Sequence, residues 1–291
     1  MMSSKNAMLA LILLLTACAK RESSPTATPL TEHSDYYSAP VSERLYSAHV
    51  GDTFRIFTAL PKGYHKDSTR RYPLILLLDA NAFFEPTLAE LRFNSFIGTI
   101  PRAVVVGIGY KDFPTMDSLR SRDLTYPVAI PEYEMALSGG AEKFRKFIND
   151  ALLPQLQKNY HIDMERTAIC GHSLGGYFTL YYGLKSIEEG SYPIRHIVSA
   201  SPSLHFNNRW LFDMEKGLPK TAPAPLTFYV SMGSADMDDP SVKDILHAFH
   251  RQVEASRYPE LRIRSAEFTN FGHIDAAIPG FIKGLSYSFG Q

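Results

Sequence analysis

Short apolar runs separated by amphipathic stretches organise this chain. Residues 74–78, 103–108, 167–170 and 196–200 are apolar and nearly uninterrupted, and 226–231 and 261–268 follow in the same manner. Continuous apolar runs of this length suit strands buried on both faces of a parallel sheet. Between them, residues 142–158 and 242–255 carry apolar side chains at helical spacing. Upstream, residues 43–50 and 53–60 flank Gly51-Asp52, the pattern of an antiparallel hairpin at a sheet edge. The alternation predicts an α/β fold with a mostly parallel, doubly wound sheet. In such sheets sites form at the carboxyl ends of the strands. Residues 111–138 break the pattern with prolines, mixed charges and no period. A stretch of that kind is expected to be a lid or binding loop without structure of its own.

The N-terminal pattern is different. Lys5 precedes the apolar residues 8–15, a run too short to span a bilayer. It reads as a signal peptide. Leu15-Thr16-Ala17-Cys18 resembles a bacterial lipoprotein box, cleaved before Cys18 and lipidated on its thiol. Residues 19–40 are rich in Ser, Thr and Pro and read as a flexible tether. The expected organisation is a signal peptide over 1–17, a tether over 18–40 and a catalytic domain over 41–291. Ala19 stands where an Asp would favour the inner membrane. A periplasm-facing attachment to the outer membrane is therefore expected, with lipid as the only membrane contact.

Cys170 is the only cysteine besides Cys18, so no internal disulfide is expected. It ends a predicted buried strand and reads as a core filler. Thirty basic residues balance thirty acidic ones, which gives no basic excess for nucleic acid. No dinucleotide fingerprint and no metal-ligand spacing occurs, so neither a cofactor nor a metal is expected.

Gly171-His172-Ser173-Leu174-Gly175-Gly176 carries the chemistry. It lies between a predicted strand and an apolar helical run, the setting of a nucleophile elbow. The turn strains the serine backbone, and the positions two away must be small. A serine hydroxyl needs a base to take its proton. His273, in the loop after the last predicted strand, holds the expected place for it. The acid that fixes the histidine tautomer should follow strand 226–231. Asp236, Asp238 and Asp239 compete there, and Asp236 is preferred. Asp239-Pro240 suits a helix N-cap better, and Asp275 lies too near His273 in sequence. The oxyanion needs two N–H donors. One is expected from Leu174, the other from Ala80 or Asn81 after strand 74–78.

These residues resemble the esterase D-like α/β-hydrolase family. The likeness runs through Leu60-Pro-Lys-Gly-Tyr64, Tyr72 to Asp79, Ser138 to Phe144, the elbow, and Phe271-Gly-His273. It implies the α/β-hydrolase fold and carboxylic-ester hydrolysis through an acyl-enzyme on Ser173. Ser199 to Leu204 and Arg120-Ser-Arg122-Asp123 resemble the siderophore esterases that open catecholate trilactones. That subgroup implies an arginine at the anionic substrate, Arg120 first and Arg122 second. His172, beside the nucleophile, is grouped with them on the substrate side. Two departures are Ala80, where the family usually has Gly, and Leu124-Thr-Tyr-Pro127 in the arginine loop. The expected partner is a small-molecule ester. Acyl transfer on the same fold and a catalytically silent binding lipoprotein are the alternatives.

Overall fold

The computed structural model describes residues 36–66, 68–221, 223–236 and 241–290. The signal peptide, Cys18, most of the expected tether, Asp238 and Asp239 lie outside the described residues.

Each predicted apolar run falls on a strand. The strands are β1 (Val41–Ser47), β2 (Asp52–Ala59), β3 (Tyr72–Leu77), β4 (Val104–Gly109), β5 (Ile162–His172), β6 (His196–Ala200), β7 (Thr227–Gly233) and β8 (Arg262–Phe268). They form one sheet in the order β1-β2-β4-β3-β5-β6-β7-β8. β1 and β2 form the expected antiparallel hairpin, and β2 pairs antiparallel with β4. All other pairs are parallel. Every residue of β3, β4, β6 and β7 is buried, which is why those runs show no alternation.

Two apolar layers enclose the sheet. On one face α1 (Ala80–Phe96) and α8 (Ala277–Phe289) pack Phe84, Leu88, Phe281 and Leu285 against alternate strand residues. The other face is covered by α3 (Ala141–Phe147), α4 (Leu153–Asn159), α5 (Leu174–Glu189), α6 (Phe206–Lys216) and α7 (Ser241–Ser256). Phe54 of the hairpin stacks on Phe147 at 4.8 Å. Such a ring pair is worth about 1 kcal/mol beyond its burial. It helps hold the sheet's edge to the core.

Two expectations change. Residues 142–158 are not one regular helix, because a π-turn over Ile148–Leu152 joins α3 to α4. Pro154 has no N–H to donate back into that turn, so the ladder shifts there. Residues 111–138 are not a structureless lid either. Phe113–Leu124 forms the helix α2, capped by Asp112, whose carboxylate accepts the Thr115 N–H. Only Met116, Asp123 and Leu124 of α2 are buried, too few to print an apolar period on the sequence. The following residues are stitched to the chain around α6. Asn207 accepts the Ile130 N–H at 3.0 Å and donates to the Val128 carbonyl at 2.9 Å. Among the described residues, no helix is long and apolar enough to cross a membrane.

Candidate active site

The carboxyl ends of the central strands carry the site, as parallel sheets require. Ser173 joins β5 to α5 with φ 58° and ψ −116°, a region that costs a non-glycine residue about 1–3 kcal/mol. Its surroundings enforce this conformation. Ser173 donates its N–H to the Ala200 carbonyl at 3.0 Å, and its own carbonyl accepts from Tyr177 at 2.9 Å. A methyl on Gly171 would lie 2.2 Å from the Gly175 carbonyl oxygen. One on Gly176 would lie 3.0 Å from the Ala200 carbonyl oxygen. Gly171 is required because backbone passes directly against it, whereas at Gly176 the neighbouring carbonyl would have to give way.

His273 and Asp236 come from the loops after β8 and β7. His273 Nδ1 lies 2.7 Å from Asp236 Oδ1. A carboxylate there requires the proton on Nδ1, which leaves Nε2 bare and able to accept one. Burial pushes the Asp236 carboxyl up. The hydrogen bond from His273 heads the interactions that outweigh burial and hold it below its ordinary range. It therefore stays ionised. Asp275 turns instead to its own loop, accepting the Gly272 N–H at 3.1 Å.

Ser173 Oγ lies 3.5 Å from Ser203 Oγ, at the end of β6. Among the described residues this is the hydroxyl's hydrogen-bond contact. Ser203, part of the Ser199 to Leu204 stretch noted in the sequence, is thus a neighbour of Ser173.

The residues expected to donate to an oxyanion sit at two helix starts. Leu174 is the first residue of α5, so its N–H has no acceptor within the helix. Ala80 and Asn81 open α1 in the same way. Asn81 also uses its side chain to clamp Tyr110, accepting its N–H at 2.7 Å and donating to its carbonyl at 3.1 Å.

Arg120 and Arg122 part company. Arg120 lines the cleft with Ser173 and His273. It grips Asp79 with Nε at 3.1 Å and Nη2 at 2.7 Å, and Nη2 also reaches the His172 carbonyl at 3.2 Å. Asp79 has φ 49° and a side chain only 1% exposed, so this pair neutralises a buried carboxylate beside the elbow. Arg122 is not on the cleft wall. It binds Asp123 through Nε at 2.8 Å and Nη2 at 2.9 Å, and Asp52 through Nη1 at 2.9 Å, tying α2 to β2.

His172 lines the cleft but is nine-tenths or more covered. Burial, aided by the neighbouring His273, pushes its pKa down to about 4. Its neutral ring places Nε2 2.8 Å from the His273 carbonyl oxygen, so Nε2 carries the proton and donates. His172 therefore fastens the loop that bears His273.

The cleft has a volume of about 410 Å³. Phe83, Phe113, Met116 and Ile274 give it apolar walls, while Arg120 and Asp117 supply charge. Trp210 lies apart, edge-on to Tyr126 at 5.2 Å, and is not one of its walls. Among the described residues no group of His, Cys, Asp or Glu side chains is arranged to hold a metal ion. Cys170 is free and buried, and burial pushes its thiol far up, which makes it a packing residue.

An α/β-hydrolase sheet with a strained serine at β5 and an acid–histidine pair at β7 and β8 is the architecture of a serine hydrolase. Comparison with known proteins agrees. Residues 47–265 match the Esterase family, described as "Putative esterase". The chain belongs to that family and is a carboxylic-ester hydrolase. It is 31% identical over 258 residues to the ferri-bacillibactin esterase BesA of Bacillus subtilis, covering 83% of this chain and 87% of that one. Among solved structures it resembles the BES protein from Bacillus cereus, at 24% identity and TM-score 0.73, over 86% of this chain and 94% of that one. It also resembles the siderophore hydrolase EstA from Aspergillus nidulans, at 22% identity and TM-score 0.74, over 85% and 93% of the two chains. The likenesses to solved structures concern the fold.

Proposed function

We propose that this protein hydrolyses catecholate siderophore esters at the cell envelope, through an acyl-enzyme on Ser173. The observation that carries the mechanism is the 2.7 Å contact between His273 Nδ1 and Asp236 beside the strained serine. With Nδ1 protonated, His273 Nε2 takes the Ser173 proton as Oγ attacks the ester carbonyl carbon. The developing oxyanion meets the N–H of Leu174 and one N–H at the start of α1. The intermediate collapses, its C–O bond breaks, and the leaving alkoxide takes the proton from His273. Water then attacks the acyl carbon and gives a proton to His273; the C–Oγ bond breaks, Ser173 Oγ takes that proton back, and the acid is released.

The substrate class rests on kinship with BesA and on the cleft itself. Its apolar walls suit aromatic acyl groups, and Arg120 supplies a cation on the same wall. The location rests on Leu15-Thr16-Ala17-Cys18, which would bear the lipid, and on Ala19, which favours the outer membrane. The deciding experiment measures steady-state hydrolysis of a triscatecholate trilactone, iron-free and iron-loaded, beside p-nitrophenyl acetate. Preference for either trilactone in kcat/KM supports the reading. Turnover of the simple ester with none of the trilactones would overturn it and leave a general carboxylesterase.

A further inference from the structure

The outer face of α1 changes character along its length. Glu85, Pro86, Ala89 and Glu90 are exposed in its first part, as a solvent-facing stripe should be. At its end Phe93, Phe96 and Ile97 take over, exposed by 58%, 64% and 49%. Their spacing of three and four residues puts them on one side of the helix. Large apolar side chains gathered this way on a soluble domain mark an interaction surface.

The chain enters the domain at this place. The ring of Tyr36 lies edge-on to Phe96 at 5.7 Å. Two arginines, Arg92 and Arg102, lie near this entry point, where both act on the adjacent Tyr37 hydroxyl. Lys62 donates its backbone N–H to the Tyr36 carbonyl at 2.9 Å, and Arg102 Nη1 reaches the Lys62 carbonyl at 3.2 Å. Arg92 adjoins Phe93 in the helix. Aromatic and aliphatic side chains rimmed by cations are the composition of surfaces that seat among lipid headgroups.

We infer that this end of α1, with Tyr36 and its basic rim, is a docking face for an anionic lipid bilayer. The inference rests on the proposed lipid at Cys18, which would deliver that bilayer. Tyr36 lies eighteen positions after Cys18. Even fully extended, a chain of that length reaches only about 60 Å. The tether would thus hold Tyr36 within about 60 Å of the lipid surface. The arrangement also orients the enzyme. α1 starts at Ala80, beside the cleft residue Asp79, and has 17 residues, so its far end is about 25 Å away. A domain seated on that end opens its cleft away from the membrane, towards a water-borne substrate.

The test separates this face from the anchor. The unlipidated chain from Ala19 onward keeps the whole compact unit His33–Gln291. It is floated with vesicles of phosphatidylethanolamine and phosphatidylglycerol, beside the same chain carrying Phe93→Ser, Phe96→Ser and Ile97→Ser. Equal melting temperatures establish that both are folded. The parent should partition to the vesicles, and the triple variant about tenfold less or weaker. High salt should lower the parent's binding through the basic rim. Equal partitioning of the two chains overturns the proposal, as does absence of vesicle binding by the parent. The anchor is read separately, by fatty-acid labelling of the full chain, and its failure leaves this comparison interpretable.

Discussion

His273 Nδ1 and Asp236 Oδ1 stand 2.7 Å apart, although 37 residues separate them in the chain. The bond sets which ring nitrogen is bare. Asp236→Asn should therefore stabilise the wrong tautomer and lower kcat by up to about 10⁴-fold, with the fold intact. Steady-state kinetics of Asp236→Asn beside Asp238→Asn and Asp239→Asn check this. A larger loss at either neighbour would move the acid along the loop.

Ser173→Ala and His273→Ala should each abolish ester turnover. The double variant should be little worse than either single one, because the two groups act as a unit. A fluorophosphonate should label the wild type and leave Ser173→Ala unlabelled. Labelling that persists in Ser173→Ala would place the nucleophile elsewhere.

Arg120 and Arg122 should be separable. The side chains of Asp79 and Asp123 are each 1% exposed, so removing either arginine strands a buried carboxylate. Each Arg→Ala change should cost about 3–5 kcal/mol in denaturant unfolding. Only Arg120 reaches the cleft, so only Arg120→Ala should raise KM for a triscatecholate more than for p-nitrophenyl acetate. Equal KM changes in both variants would assign both arginines to structure alone.

Acid should destabilise the protein through His172. Burial holds its folded pKa at about 4, below the ordinary value of 6.5. Between those values the unfolded chain binds the proton and the folded one does not, so stability rises with pH. The contribution is complete above pH 6.5 and is lost as pH falls towards 4. It amounts to about 3 kcal/mol. His196, pushed by burial to about 4, adds a second slope in the same window. His172→Gln should flatten the profile measured by urea unfolding between these pH values. An unchanged slope would mean that His172 does not carry the effect.

Labelled fatty acid should enter the wild type in growing cells and be absent from Cys18→Ser. Detergent-phase partitioning of the mature protein should follow the label. Label in both chains would place the lipid at another residue, and label in neither would mean an ordinary signal peptide.

The sheet was legible because its strands are buried on both faces. Runs such as residues 74–78 and 103–108 had nowhere to place a polar residue, so they stood out without any alternation. The elbow was legible for a local reason too. Gly171 adjoins the Gly175 backbone at a distance that excludes a side chain, and a position set by a backbone clash must be written as glycine. Chain order alone also selected His273 and the loop of Asp236. The tertiary structure decided what depends on direction. Residues 111–138 looked irregular because α2 buries few side chains. On a helix, two positions apart means about 200° of rotation. That rotation sends Arg120 to the cleft and Arg122 to Asp52, a division invisible while both sat in a supposed loop. Ser203 meets Ser173 at the cleft, and Tyr36 meets Phe96 at the far end of α1, only because the fold brings distant segments together. Sequence thus determined the elements and the reacting groups, whose signals are local. The partners of those groups, and the faces left bare, arise from segments far apart in the chain and needed the assembled fold.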